Sequence, residues 1–297
     1  MKNIQNKQKG VLLILLSALM FGSYGVWSRL IGSSFDVFYQ GWTRGLIVTV
    51  LLIPLLWYRK EFVRIEKKDR PWLSVYLIFT AFTQAPIFYA FNHMDIGSAT
   101  LLFFVSMLIT MYTFGFIFLG EKLTRVKCIS FILACAGLYY TFSFSWVLFS
   151  LLAAGAAIVN GLASGGEVAS SKKLSGNYSP LYLTWLSWVI IAVTNIVPSL
   201  LLGERQVVPS FNMVWFYQFC YVIASFVGFW SIIAGLKYVE ASIGGLIGLL
   251  EIIFSISFGI ILFHEALTEK VLIGAVLILL AAALPHIRDL HKNKQPL

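Results

Sequence analysis

The chain has 297 residues, of which 59% are hydrophobic and 12% are charged, and its mean hydropathy is +0.84. A soluble domain carries about 25% charged residues, so this composition excludes soluble globular, disordered, coiled-coil and disulfide-stabilised proteins. The net charge of +9 does not indicate nucleic-acid binding here, because the basic residues cluster at the ends of apolar runs. An α-helical membrane protein remains, since such runs satisfy their backbone hydrogen bonds in lipid as helices and strand-like alternation is absent.

Apolar runs bounded by charged or turn residues predict ten membrane-spanning helices. A span needs ~20 apolar residues, so ten spans leave only short loops and no soluble catalytic domain. No small-residue cleavage site follows the first run, which therefore predicts an uncleaved first span. The predicted spans are 11–31, 35–57, 72–92, 97–119, 126–143, 146–170, 180–202, 212–235, 241–263 and 270–287.

The distribution of basic residues predicts the orientation of these spans. With the N-terminus inside, the inner loops and termini hold 18 Lys and Arg residues and the outer loops hold 3. Cytoplasmic loops of membrane proteins carry this kind of excess, and one missed or extra span would destroy it. We therefore predict a multi-pass protein of the plasma (cytoplasmic) membrane with both termini in the cytoplasm.

The two halves of the chain resemble each other at an offset of 144 residues. Residues 120–124 (Gly-Glu-Lys-Leu-Thr) correspond to residues 264–268 (His-Glu-Ala-Leu-Thr), and Ser98 corresponds to Ser242. Five spans per half is an odd number, so the second half must enter the membrane from the opposite side. Inverted repeats are typical of secondary transporters, because two equivalent halves that exchange conformations expose one site to each side in turn.

With these features the sequence resembles the EamA-type carriers of the drug/metabolite transporter superfamily. The resemblance covers essentially the whole chain and includes Arg44 in the second span. Residues 21–24 (Phe-Gly-Ser-Tyr) stand where the family has Trp-Gly-Ser-Asn. The family's fourth and ninth spans often carry Ser-Pro and Glu-Pro. This chain has Ser106-Met107 and Glu251-Ile252 there, so both prolines are missing.

The resemblance implies an all-α integral membrane protein in which two inverted five-helix EamA repeats, residues 1–145 and 146–297, surround a central cavity. It implies a secondary transporter of a small organic metabolite, such as an amino acid, an organic cation or a drug-like solute. Alternating access, export, and coupling to protons or to exchange are the expected mechanism, with no cofactor. The expected partners are the solute and the bilayer, without nucleic acid, for a monomer or a homodimer.

Two other functions are alternatives to transport of a small metabolite. A flippase, or a transporter of lipid-linked or nucleotide-linked sugars, is the alternative on the same fold, and Arg44 is its only support in the sequence. An integral-membrane enzyme is disfavoured, because the short loops lack the dense polar cluster that catalysis needs. The sequence also lacks the Gly-x-x-x-x-Gly-Lys-Ser/Thr motif of ATP-binding proteins, which favours coupling to an ion gradient or to exchange.

Charged residues inside the apolar runs are the first candidates for a binding or coupling site. A charge at a helix centre costs ~2.5–3.5 kcal/mol on insertion scales, so it usually faces a cavity or a partner. Glu251 is a candidate for binding a proton or a cationic substrate, or else a structural carboxyl. Glu167 is either a second such group or a partner of Lys172. Arg44 either binds a substrate carboxylate or phosphate, or pairs with Glu167 or Glu251.

Polar and aromatic side chains within the runs are the second group of candidates. Aromatic walls with a few amides suit an aromatic or amphipathic metabolite, or a cation through cation–π contact. Gln84 and Asn92 are predicted to share a helical face, and Pro86 is predicted to free a backbone carbonyl to line a cavity. The wider set is Tyr24, Tyr39, Gln40, Trp42, Gln84, Tyr89, Asn92, Asn160, Tyr182, Trp185, Gln218, Tyr221 and Trp230. The members selected as site residues are Tyr24, Gln40, Gln84, Tyr89, Asn92, Asn160 and Trp185.

The remaining chemically distinctive residues receive structural interpretations. The three cysteines lie in apolar runs without metal-ligand spacing and are predicted to pack. His93 and Asp95 are predicted to form a solvated turn rather than a metal site. Glu121 and Glu265, in the repeated loops, are predicted to cap or bridge helices near the lipid boundary, outside the transport path.

Overall fold

The computed structural model describes residues 2–146 and 150–292, without the side chains of residues 2–4 and 286–292. The regular structure of these residues is helical, and the described part contains no β-strand. The α-helices are α1 Lys2–Gly22, α2 Tyr24–Ile31, α3 Val37–Tyr58, α4 Arg70–Ala81, α5 Ala85–His93, α6 Ile96–Phe118, α7 Arg125–Phe142, α8 Leu151–Leu174, α9 Pro180–Leu201, α10 Met213–Leu236, α11 Ala241–Gly248, α12 Leu250–Phe263 and α13 Glu269–Lys292.

The helices follow the predicted spans in order. Within the described residues, nine helical segments are long and apolar enough to cross a membrane. They correspond to the first nine predicted spans, and α13 lies where the tenth is predicted. The tenth span therefore stays a prediction. The all-α membrane fold itself is confirmed.

Three predicted spans are interrupted, although the sequence analysis treated each as one helix. The first span breaks at Ser23, the third at residues 82–84 and the ninth at Leu249. Pro86 explains the second break, since it has no N–H to offer the preceding turn. At Ser23 the hydroxyl donates to the carbonyl of Met20 at 2.6 Å, a contact that bends helices. The ninth span thus breaks without the family's proline, whereas α6, without its proline, stays continuous.

The two halves interlock as an inverted repeat. Helix α3 packs on α9, and α7 packs on α13. Helix α1 packs on α10 and on α11–α12, while its counterpart α8 packs on α4–α5 and on α6. When each span is exchanged for the one five places along, the two contacts of α1 become the two contacts of α8, and the α3–α9 and α7–α13 contacts become themselves. This packing is the arrangement expected of two equivalent halves related by a pseudo-twofold axis.

Hydrogen bonds between loops define two ends of the bundle. At one end, which we call the Glu121 end, Ser179 Oγ donates to Glu61 at 2.5 Å and Lys172 Nζ donates to the carbonyl of Val239 at 2.6 Å. At the other, the Glu265 end, Arg205 N donates to Asp36. The inner loops of the sequence analysis lie at the Glu121 end and the outer loops at the Glu265 end.

A labelling experiment checks this arrangement. After the native cysteines are replaced by serine, Arg64→Cys should place an exposed thiol at the Glu121 end and Ser210→Cys one at the Glu265 end. In intact cells a membrane-impermeant maleimide should label position 210 and should leave position 64 unlabelled until the membrane is opened. Labelling of position 64 alone would reverse the predicted orientation, and equal labelling of both would contradict the span order.

Candidate functional site

A buried arginine is enclosed by aromatic rings from three other helices. Arg44, on α3, is only 3% exposed. Its guanidinium carbon lies 4.0 Å from the ring centroid of Tyr221 on α10, 5.6 Å from Tyr24 on α2 and 5.7 Å from Trp188 on α9. We call these four residues the Arg44 cluster. Contacts of this kind stabilise a cation by about 0.5–2 kcal/mol.

The guanidinium group has almost no hydrogen-bond acceptors. Its Nη2 lies 3.5 Å from Gln84 Oε1, while Nε and Nη1 are buried without a partner. No carboxylate among the described residues lies within salt-bridge distance of it. The predicted pairing of Arg44 with Glu167 or Glu251 is therefore wrong for this structure: the Glu167 carboxylate is bound by hydroxyl groups, and Glu251 forms no ion pair among the described residues.

Glu167 is held by hydroxyl groups. Its Oε1 accepts hydrogen bonds from Thr80 Oγ1 at 2.7 Å and from Ser187 Oγ at 2.6 Å. The predicted alternative, a pair with Lys172, is not formed, because the Lys172 ammonium lies 3.3 Å from Glu121 instead. Glu167 is thus a buried carboxyl that joins α4, α8 and α9 without a cationic partner in the described residues.

Glu251 is half-buried in the first turn of α12. No described side chain donates a hydrogen bond to its carboxylate or forms an ion pair with it. Its backbone lies against the first helix break, since a Cβ on Gly22 would come within 2.7 Å of the Glu251 carbonyl oxygen. Tyr24 lies within electrostatic range of both Arg44 and Glu251, so this carboxylate neighbours the Arg44 cluster.

Two of the predicted amides serve the backbone. Asn160 Nδ2 donates to the carbonyl of Phe82 at 3.0 Å, which is the carbonyl that Pro86 leaves without its helical partner. The prediction that this carbonyl lines a cavity is therefore wrong, because Asn160 binds it. The second amide is Gln218, whose Nε2 donates to the main-chain carbonyl of Gln40 at 3.1 Å. These contacts join helices near the site.

Other predicted residues lie apart from the Arg44 cluster. The Trp185 ring contacts Tyr182 and Phe62, the latter in a loop at the Glu121 end. Tyr89 stacks on His93, with ring centroids 4.1 Å apart, and Asn92 is exposed. Gln84 precedes α5 and so does not share a helical face with Asn92.

Trp188 is the cluster member that the sequence analysis missed. It lies one helical turn after Trp185, which was selected instead. The spacing of the two tryptophans was visible in the sequence, but the choice between them depends on which face of α9 packs on α3.

The repeated Glu-x-Leu-Thr loops have the same local structure. Glu121 N donates to the Gly115 carbonyl and Glu265 N donates to the Gly259 carbonyl. The residue before each glutamate has a positive φ, +69° at Gly120 and +55° at His264. The loop geometry is therefore a property of each repeat.

The two loops nevertheless make different contacts with the rest of the protein. Glu121 is 6% exposed and accepts hydrogen bonds from Ala241 N, Ser242 N and Ser242 Oγ, the last at 2.6 Å. Lys172 and Lys127 lie 3.3 and 3.7 Å from its carboxylate. We call this group the Glu121 cluster. It caps α11, as predicted, and it joins the carboxylate to three donors of α11 and to two ammonium groups.

At the other end the described residues do not form the equivalent contacts. Glu265 pairs with Arg29 at 2.6 Å, and both side chains are 54% exposed. Gly97 and Ser98, which correspond to Ala241 and Ser242, do not contact Glu265 among the described interactions. Asp95 accepts hydrogen bonds from Ser98 N and Ser98 Oγ instead.

Comparison with known proteins agrees with this architecture. The model of the EamA-like transporter family matches residues 8–143 and again residues 151–285. The chain belongs to the EamA-like transporter family. Each match contains one Glu-x-Leu-Thr loop, so the family repeat coincides with the repeat seen in the fold.

A solved structure supports the fold of this EamA-like transporter. One crystal structure, described only as that of a protein, has a TM-score of 0.79 and is 16% identical, covering 94% of this chain and 98% of its own. At that identity the similarity concerns the fold alone. No curated protein matches the chain. Membership in the family identifies this chain as a membrane transporter of the drug/metabolite type.

Proposed function

We propose that this transporter moves a small organic solute by alternating access, and that the repeated glutamate loops open and close its two ends in turn. The observation that carries the proposal is the difference between Glu121 and Glu265. Two loops of the same local structure occupy equivalent places in an inverted repeat, yet one is packed into a buried cluster and the other is exposed.

The helix breaks support the same asymmetry. The halves that follow the three breaks, α2, α5 and α12, all lie at the Glu265 end. Their counterparts in the other repeat belong to α8, α10 and α6, which run without a break at the positions 144 residues away. The Glu265 end is therefore the end whose helices depart from the straight arrangement.

The inverted repeat indicates what the alternate state contains. In that state Glu265 accepts hydrogen bonds from Gly97 N and from Ser98, as Glu121 now does from Ala241 and Ser242. The Glu121 cluster opens in the same step. Because the ends are built from interlocked repeats, closing one strains the packing that keeps the other closed.

The proposal also covers the orientation of the protein, the direction of transport and the coupling to protons. With the N-terminus in the cytoplasm, the closed Glu121 end faces the cytoplasm. Export across the plasma membrane is the direction that the family resemblance favours. Glu167 and Glu251 are the carboxyls proposed to bind a coupling proton, because neither has a cationic partner among the described residues.

Paired spin labels test the proposal without knowledge of the solute. In a cysteine-free protein, labels at Lys122 and Tyr238 span the Glu121 end, and labels at Ile96 and Ala266 span the Glu265 end. Glu121→Gln removes the charge that holds the first end closed. We expect the 122–238 distance to increase and the 96–266 distance to decrease in the same sample.

Glu269→Gln is the matched control, because it removes one negative charge from an exposed position near Glu265. It should leave both distances unchanged. If Glu121→Gln lengthens the first distance while the second stays fixed, the two ends are not coupled and the proposal is wrong.

A further inference from the structure

We propose that Arg44 binds an anionic group of the transported solute, a carboxylate or a phosphate, through the unpaired N–H groups of its guanidinium group. This inference rests on the proposed transport function and names the chemical class of its substrate. The first step is the burial of the charge. An ionised group removed from water without a counter-ion costs several kcal/mol, more than the surrounding rings return.

Arg44 differs in this respect from Lys127 and Lys172, which have carboxylate partners. Lys127 lies 2.8 Å from Glu240, and Lys172 lies 3.3 Å from Glu121. Arg44 is as buried as Lys127 and more buried than Lys172, but among the described residues its one polar contact is the 3.5 Å approach to the neutral amide of Gln84. A counter-ion from outside the chain would neutralise the charge of Arg44, as the carboxylates neutralise the charges of the two lysines.

The donors that remain free define the shape of the ligand. Nε and Nη1 of Arg44 have no acceptor, and Nη2, which lies between them on the guanidinium fork, has only the 3.5 Å contact with Gln84. Carboxylate and phosphate oxygens are the acceptors that such a fork of N–H donors binds. Trp188 Nε1 is also buried without an acceptor. The cluster thus holds an excess of N–H donors, which an anion with several oxygens satisfies.

The surrounding rings favour an organic anion with an apolar or aromatic body. Tyr24 and Tyr221 pack edge to face, with ring centroids 4.7 Å apart, and together with Trp188 they cover the guanidinium group.

Thermal unfolding and binding measurements on the purified full-length protein test this inference. The probes are benzoate, phenyl phosphate, inorganic phosphate and benzylamine, with tryptophan fluorescence as the binding readout. We expect benzoate or phenyl phosphate to raise the unfolding temperature of the native protein by several degrees and benzylamine to have no effect. Arg44→Gln should weaken anion binding by about tenfold or more.

Two variants keep the result interpretable. Lys270→Gln removes one positive charge at an exposed position and should bind the anions normally. Arg44→Gln should unfold at an equal or higher temperature than the native protein without ligand, because it removes an uncompensated charge. Retained anion binding in Arg44→Gln, or no binding by the native protein, would overturn the inference.

A competition experiment with lipid distinguishes a lipid headgroup from a free metabolite as the source of the anion. Phosphatidylglycerol in the detergent micelle should compete with benzoate if a lipid headgroup occupies Arg44, and should not if the ligand is a free metabolite. The spin-label distances separate this inference from the proposed function. If the ends exchange but no anion binds, only the substrate class is wrong; if anions bind but the distances never change, alternating access is wrong.

Discussion

Glu121→Ala is expected to accelerate amide hydrogen exchange in the first turn of α11 by about 10²–10⁴-fold. The substitution removes the acceptor of Ala241 N and Ser242 N and leaves the buried Lys127 and the partly buried Lys172 without the Glu121 carboxylate. Loss of one partner of a buried ion pair costs about 3–5 kcal/mol, and each 1.36 kcal/mol corresponds to about a factor of ten. Mass spectrometry of exchanged peptides that contain residues 241–244 provides the measurement.

Glu265→Ala is the internal control for this prediction. Its partner Arg29 is half exposed, and exposed pairs contribute about 0–1 kcal/mol. The first turn of α6 should exchange at its native rate, because Asp95 rather than Glu265 caps Ser98. Equal effects of the two substitutions would show that the ends do not differ as described.

The same cluster has a defined pH dependence. Burial alone would raise the pKa of Glu121, but the hydrogen bond from Ser242, the Lys172 ammonium and the α11 amides together lower it below its ordinary value. A lowered pKa means that the stabilisation is complete above the ordinary carboxyl pKa and is lost as the pH falls through the lowered one. Protection of the α11 amides should therefore persist at neutral and mildly acidic pH and should be lost only at pH values below the ordinary pKa of a glutamate.

Gly161→Ala is expected to reduce the stability of the bundle by about 3 kcal/mol. A Cβ at this position in α8 would overlap Ser106 Oγ and the carbonyl of Phe103 on α6. The carbonyl belongs to the backbone of α6, so the two helices must move apart. Unfolding in a denaturing detergent, followed by circular dichroism, measures the loss.

Gly155→Ala, six residues earlier in the same helix, provides the matched comparison. A Cβ there would meet nothing within 4 Å, so the substitution should be neutral or stabilise the helix by up to about 1 kcal/mol. If both variants lose the same stability, helix propensity rather than the close α6–α8 contact controls the effect.

The location of the candidate site was only partly accessible to sequence reasoning. Arg44 was identified because a lone basic residue in an apolar run is visible in one dimension. Its surroundings were not, since Tyr24, Trp188 and Tyr221 come from three helices up to 197 residues apart in the chain. Their roles in binding stay predictions, and the experiments above test them.

The sequence by itself determined the class of protein, the order of its spans and the inverted repeat. These are properties of hydrophobic length, charge at span ends and internal similarity, and each can be seen in a short window or at a fixed offset. Only the tertiary structure decided which carboxylate pairs with Lys172, where the helices break, and that Glu121 is buried while Glu265 is exposed. The reason is physical: the two loops are locally alike, and their difference arises from the distant helix ends that pack against each of them.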